Sequence, residues 1–295
     1  MRDRRLVVMA RKDFDDAIRS KTVWFISGIF ALLVVGITYQ LSQAVPPDFP
    51  QSAIPFVALN GVAQWISWVV SILSLVAGYA SVISERRSGS MKILLGLPFE
   101  RAEVLVGKML GRTAVIAVSV AAGFVTVALS IVVFIGVPEL ADFLWRFLGL
   151  FFLTVLLGAV YTTLAVSVSA VVSTRRRAML SVVALFFITQ AVWTGFTQFV
   201  YLFFGGGSVP LRPPDWYLFL TYLAPSAAYT RAASALDLLV RHPSLAIDGV
   251  PRRAAQAQQS GSFLLSEYLA FLVLILWAVL GGLLAYNVFR NADLG

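Results

Sequence analysis

Cysteine is absent from the 295-residue chain, and histidine occurs once, as His242. No disulfide framework and no thiolate metal or redox site can therefore form, and a single histidine leaves no ordinary zinc site. Charge is scarce too: Asp, Glu, Lys and Arg make up 13% of the residues, against roughly 25% in a soluble domain. A phosphate-cradling loop of the form G-x-x-x-x-G-K-[ST] is also missing. At the one Gly-Lys pair, Gly107-Lys108, Ala102 stands where the leading glycine belongs and Met109 where Ser or Thr should follow. With neither a Ser–His pair nor paired carboxylates inside its apolar runs, the chain lacks the groups for intramembrane catalysis.

Oil is what the chain has in plenty, with 59% hydrophobic residues and a mean hydropathy of +0.85. Six long apolar runs stand out: Thr22–Leu41, Val62–Ile83, Thr113–Gly136, Phe147–Val172, Ala178–Phe204 and Tyr268–Phe289. About 20 residues at about 1.5 Å each cross a hydrocarbon core of about 30 Å. In lipid every backbone group must be bonded internally, and no alternating segments of about ten residues suggest a barrel. The expected fold is thus an all-α integral membrane protein with six transmembrane helices. None of the six runs contains Asp, Glu, Lys or Arg, which argues against proton relays, ion-coupled carriers and voltage sensors. Their polar groups include Gln64, Gln190, Gln198, Tyr161 and scattered Ser and Thr. These either bond across helices or face a substrate path.

Lys and Arg are unevenly shared between the two sides. Residues 1–21 hold seven, the loop between the second and third runs six, Arg175–Arg177 three and the tail Arg290 one, which makes 17 of the 23 on one side. Five of the other six lie in one long loop, where charge carries little orienting weight. The majority side is expected to be cytoplasmic, with both termini inside, in the cytoplasmic membrane. The net charge of +8 is read the same way, as an orientation signal rather than a nucleic-acid surface. Ser42-Gln43-Ala44 resembles a signal-peptide cleavage site. The run before it exceeds the usual roughly 7–15 residues, though, so the first span is expected to stay.

Three pieces fall outside the lipid. Residues 1–21 predict an amphipathic interfacial helix, with Val7, Ala10, Phe14, Ala17 and Ile18 on one face and Arg4, Arg11, Lys12, Asp15 and Arg19 largely off it. Residues 22–295 form the transmembrane domain. Between its second and third spans, Ser84 to Leu95 is expected to prolong the second span as a helix weakened by Gly89, ended by "LLGLP". A second helical run, Arg101–Arg112, then leads into the third span. Ile93, Leu94, Leu95, Leu97 and Phe99 beside Arg86, Arg87 and Lys92 read as a docking surface, or as leucines lying against lipid headgroups. Gly107 and Gly111, and likewise Gly281 and Ala285, have the small-residue spacing that lets helices approach closely. The third piece is the outer segment, residues 205–267. It opens on irregular "GGGSVPLRPPD" and continues as an apolar stretch broken at Pro225, expected to form a re-entrant or interfacial hairpin. Ser226–Val240 is expected to be a helix with Arg231 and Asp237 on its wet side.

"ARKDFDDAIRSKTVWF", "ISERRSGSMKILLGLPFERAEVLVGKMLG", "LAPSAAY" and "FRNADLG" together resemble the permease subunits of type 2 ABC transporters. The likeness is nearest to the branch that includes the permease assisting copper-site maturation of nitrous oxide reductase. It implies an ATP-driven transporter subunit, for the most part an exporter, that pairs with a second permease in a homo- or heterodimer. It also implies two copies of a cytoplasmic ATPase, which hold the ATP and Mg, so that this chain binds no cofactor and is not itself an enzyme. By the same resemblance a coupling helix at Glu85, Arg86, Arg87, Ser90, Lys92, Ile93, Leu94 and Leu97 meets the ATPase. The outer hairpin, with Trp216, Tyr217, Pro225 and Tyr229, lies near the external gate, and an extracytoplasmic partner can meet the same region. The competing reading is a scaffold or channel that works without an ATPase.

Overall fold

The computed structural model describes residues 2–45, 49–89, 101–205, 213–236 and 262–291, and among them regular structure is helical throughout. Among the described residues six helices are long and apolar enough to cross a membrane: Lys21–Ala44, Gln51–Ser88, Ala102–Phe134, Leu140–Val171, Arg175–Phe204 and Glu267–Asn287. Each overlaps a predicted run; the third takes in the helical lead-in expected at Arg101–Arg112, and the second and fourth begin well before hydropathy suggested. The second is already helical at Ile54, because Pro55 sits in the first turn, where a missing N–H costs no bond. The fourth begins at Leu140 rather than Phe147. Its two charges, Asp142 and Arg146, lie one turn apart and pair at 3.0 Å, and Arg146 covers the Phe56 ring at 4.5 Å.

The chain opens with α1 (Arg2–Ile18), a short turn, then α2 (Lys21–Ala44). The second span consists of α3 (Ile54–Gly78), a turn over residues 79–82, and α4 (Ile83–Ser88). The helix expected from Ser84 to Leu95, weakened by Gly89, is thus corrected on two counts. A turn precedes it, and Gly89 ends it in a left-handed conformation (φ 77°) that glycine adopts without steric cost. Met91 to Glu100 lie outside the described residues, and so does Ser90.

Then follow α5 (Arg101–Phe134), α6 (Leu140–Val171) and α7 (Arg175–Phe187), the last capped by the Thr174 hydroxyl, which accepts from the Arg177 N–H at 3.2 Å. A π turn over Ile188–Val192 joins α7 to α8 (Trp193–Phe204) within the fifth span. The hairpin is α9 (Asp215–Tyr222) and α10 (Pro225–Ala233), and α11 (Glu267–Asn291) forms the last span.

The core is built around α6, where Leu150, Leu157, Val160, Tyr161, Ala165 and Val166 are fully buried. Neighbouring helices come close where glycine replaces a side chain. A Cβ at Gly78 would stand 2.6 Å from that of Ala165, and one at Gly281 would stand 3.1 Å from Leu164. The fifth span is the least covered: Met179, Leu180, Val183, Phe187, Val192 and Phe196 are exposed.

Candidate functional site

The first constellation lies where α1 meets the C-terminal end of the second span and the N-terminal end of the third. Helix α1 is laid on α5 at Gly107 and Gly111. A Cβ at Gly107 would stand 2.6 Å from that of Met9, and one at Gly111 would stand 2.5 Å from the Ala10 carbonyl oxygen. The G-x-x-x-G spacing thus serves this intramolecular approach. The buried face of α1 is Met9, Asp13 and Ala17, whereas Val7 is 65% exposed. The predicted apolar face is therefore rotated, and it is centred on a carboxylate.

Asp13 is 3% exposed and Lys108 is 1% exposed. The Lys108 ammonium reaches Asp13 Oδ1 at 3.2 Å and Glu85 Oε1 at 2.8 Å, while Lys12 approaches the same Glu85 oxygen at 3.4 Å. Arg112 Nε donates to Asp13 Oδ2 at 2.6 Å. Charges taken this far from water persist only when paired and hydrogen-bonded. The turn that interrupts the second span is satisfied from both sides as well. Arg112 Nη1 donates to the Ala77 carbonyl at 2.9 Å, and the Ser169 hydroxyl accepts from the Val82 and Ile83 N–H groups, each at 3.1 Å.

Of the predicted ATPase-facing residues, Glu85 is turned into this cluster, Arg86 is half-buried and Arg87 is exposed. Ser90, Lys92, Ile93, Leu94 and Leu97 lie outside the described residues.

The second constellation is a cavity of about 280 Å³ between the first half of α3, the π turn of the fifth span and the hairpin. Helix α9 runs along α8. Trp216 stacks on Tyr201 with ring centroids 5.6 Å apart, and Trp193 Nε1 donates to the Leu220 carbonyl at 3.0 Å. At the turn of the hairpin, Trp277 Nε1 donates to the Leu223 carbonyl at 2.8 Å, and Ser226 Oγ donates to the Thr189 carbonyl at 3.3 Å. Trp277 lies ten residues into α11, roughly 15 Å along its axis, so the turn is held well inside the bundle. Arg231 fastens the returning helix. It is 4% exposed, donates from Nε to the Leu265 carbonyl at 2.7 Å and pairs with Glu267 at 2.9 Å. This corrects the expected wet side of that helix, which is described only as Pro225–Ala233 plus a 3-10 turn to Leu236. Asp237 lies outside the described residues.

The π turn widens the fifth span locally and brings both Thr189 and Gln190 to the cavity, as such turns do at many functional sites. Gln190 Nε2 donates to Ser71 Oγ at 3.1 Å and to the Ser67 carbonyl at 3.3 Å. Tyr161 donates to Thr189 Oγ1 at 3.0 Å, and the Tyr229 and Thr154 hydroxyls are 3.1 Å apart. Among the predicted gate residues, Tyr229 lines the cavity and Pro225 starts the returning helix, whereas Trp216 and Tyr217 join Tyr201 in a separate aromatic cluster. Sequence reasoning missed Asn60, Ser67, Trp193, Thr194, Ser226 and Thr230 as lining residues. The polar stripe Asn60, Gln64, Ser67 and Ser71 at helical spacing was the available signal.

A family model described as ABC-2 family transporter protein matches residues 7–294. The chain is 27% identical over 283 residues to the probable ABC transporter permease protein NosY of Pseudomonas aeruginosa, covering 96% of this chain and 97% of that protein. It is 29% identical over 170 residues to the protein of the same description from Stutzerimonas stutzeri, covering 58% of this chain and 61% of the relative.

Proposed function

The chain belongs to the ABC-2 family of transporter proteins, and from that premise we propose that it is the membrane half of an ATP-driven exporter. It is a multi-pass permease, and its family implies an ATPase partner and a permease partner. In the proposed assembly two copies of a cytoplasmic ATPase hold ATP and Mg and grip the loop between the second and third spans at Glu85–Leu97. A second permease sits against the first, and both termini face the cytoplasm.

The observation that carries this reading is the buried Lys108, held between Asp13 of α1 and Glu85 of α4. It joins the two spans that flank the loop to each other and to the N-terminal helix. A push on the loop then moves these parts as one unit. We read α1 as lying at the cytoplasmic interface, where Arg11 and Lys12 meet anionic headgroups. The hairpin is read as re-entrant from the outer side, with the cavity beneath it on the substrate path.

Two experiments test the reading. Pull-down of the full chain in mild detergent, with mass spectrometry, should return an ABC ATPase, and it identifies any extracytoplasmic partner in the same run. An Arg86→Glu, Arg87→Glu double variant should lose most of that copurification while still inserting; unchanged copurification would count against the assigned docking surface.

A further inference from the structure

The cavity has a chemistry of its own, separate from the question of how the transporter is driven. Among the described residues its lining contains no Asp, Glu, Lys, Arg or His. Its walls combine the amides of Asn60, Gln64 and Gln190 with the rings of Trp68, Trp193 and Tyr229. Gln190 is fixed through its amide nitrogen by Ser71 and the Ser67 carbonyl, whereas the Asn60 and Gln64 side chains make no hydrogen bond with any described residue.

Each carboxamide offers two donors and an oxygen with two lone pairs. Asn60 is half-buried and Gln64 is exposed, and at membrane depth amides left unbonded are costly, because nothing in the hydrocarbon satisfies them. A partner that both donates and accepts suits them best. Hydroxyl groups do so; an anion only accepts, and an ammonium only donates. A charged ligand would also give up its hydration with no counter-charge in the wall to replace it. Flat aromatic faces complement the C–H face of a ring whose rim carries hydroxyls. A volume of about 280 Å³ sits at the lower end of small-molecule sites, roughly 300–1,000 Å³. It therefore accommodates a headgroup rather than a whole lipid.

We propose that this cavity binds an uncharged, hydroxyl-bearing headgroup such as a sugar ring, contacted by the Asn60 and Gln64 amides and stacked against its aromatic wall. The inference deepens the exporter reading by naming its cargo class, and it rests on that reading only for the direction of movement.

The test uses the full-length chain in lipid nanodiscs, with radiolabelled octyl glucoside added below its micelle concentration. Saturable binding is expected, undisturbed by octyl trimethylammonium or octyl sulfate, which share the tail and carry opposite charges. An Asn60→Leu, Gln64→Leu variant keeps the volume but removes the free amides, and should bind roughly tenfold more weakly or worse. Competition by free glucose at matching concentration would assign a soluble sugar; glucose without effect would assign a lipid-borne one. Equal displacement by either charged amphiphile overturns the proposal. So does undiminished binding by the variant, or no saturable binding at all. Copurification of the ATPase, followed in parallel on the same protein, reports on the transporter reading independently. Its loss with glycoside binding intact removes the exporter and leaves the site.

Discussion

Lys108 shows how much a single residue holds together here. Its ammonium is buried between carboxylates that lie 95 and 23 positions away in the chain. Replacing it with methionine keeps the stem and leaves Asp13 and Glu85 without their shared cation. Breaking a buried pair from one side typically costs about 3–5 kcal/mol. Glu85 is partly solvated and Asp13 keeps Arg112, so a loss of about 2–3 kcal/mol is expected for Lys108→Met. It would be read as a lower unfolding temperature of the purified protein. Gly111 supplies a second residue-scale prediction with its own control. An alanine there would drive a methyl group to 2.5 Å from the Ala10 carbonyl oxygen, whereas Gly28 has nothing within 4 Å. Gly111→Ala should destabilise by about 1–3 kcal/mol through overpacking, and limited proteolysis should find α1 released. Gly28→Ala should be neutral or slightly stabilising, by up to about 1 kcal/mol.

Among the elements, the second span departs most from what its hydropathy suggests. It is a near-continuous run of 38 residues whose most apolar stretch of 18 residues has mean hydropathy 2.0, yet it is jointed at residues 79–82. Apolarity at a joint looks the same as apolarity in a straight helix, so the break is invisible locally. What stabilises it is Ser169 on another span, which occupies the N–H groups of Val82 and Ile83. A hydroxyl inserted into the helical ladder is a known cause of kinks. A force passed along this span therefore crosses an articulation rather than a rigid rod. Ser169→Ala should leave those two N–H groups unbonded, at a cost of about 1–3 kcal/mol. Hydrogen exchange at Val82 and Ile83 should then accelerate selectively, while exchange at Val62 and Ile66 stays slow.

At the scale of the whole molecule the basic residues predict which end lies inside. Because the chain has no cysteine, single cysteines introduced one at a time report topology without background. Cysteines at the exposed Arg87 and Arg176 should react with a membrane-impermeant maleimide only after the membrane is opened. One at the exposed Thr230, on the hairpin, should react in intact cells. The reverse pattern would invert the orientation and remove the proposed ATPase from its place.

Hydropathy and charge, read along the chain, were enough to establish the number of spans, their order and the all-helical class. Each of those depends on local composition, because a lipid core of fixed thickness selects apolar runs of fixed length. Gln64 and Gln190 could be singled out as unusual in the same way, as polar groups in oil. Only the tertiary structure decided that they face one cavity, that Asp13 is buried rather than wetted, and that Arg231 fastens a hairpin. Those outcomes arise where residues far apart in sequence come together: 13 with 108 and 231 with 267 in ion pairs, and 64, 190 and 229 around one cavity. No local period encodes such meetings, since a buried ion pair or a shared cavity exists only once the separate helices have packed.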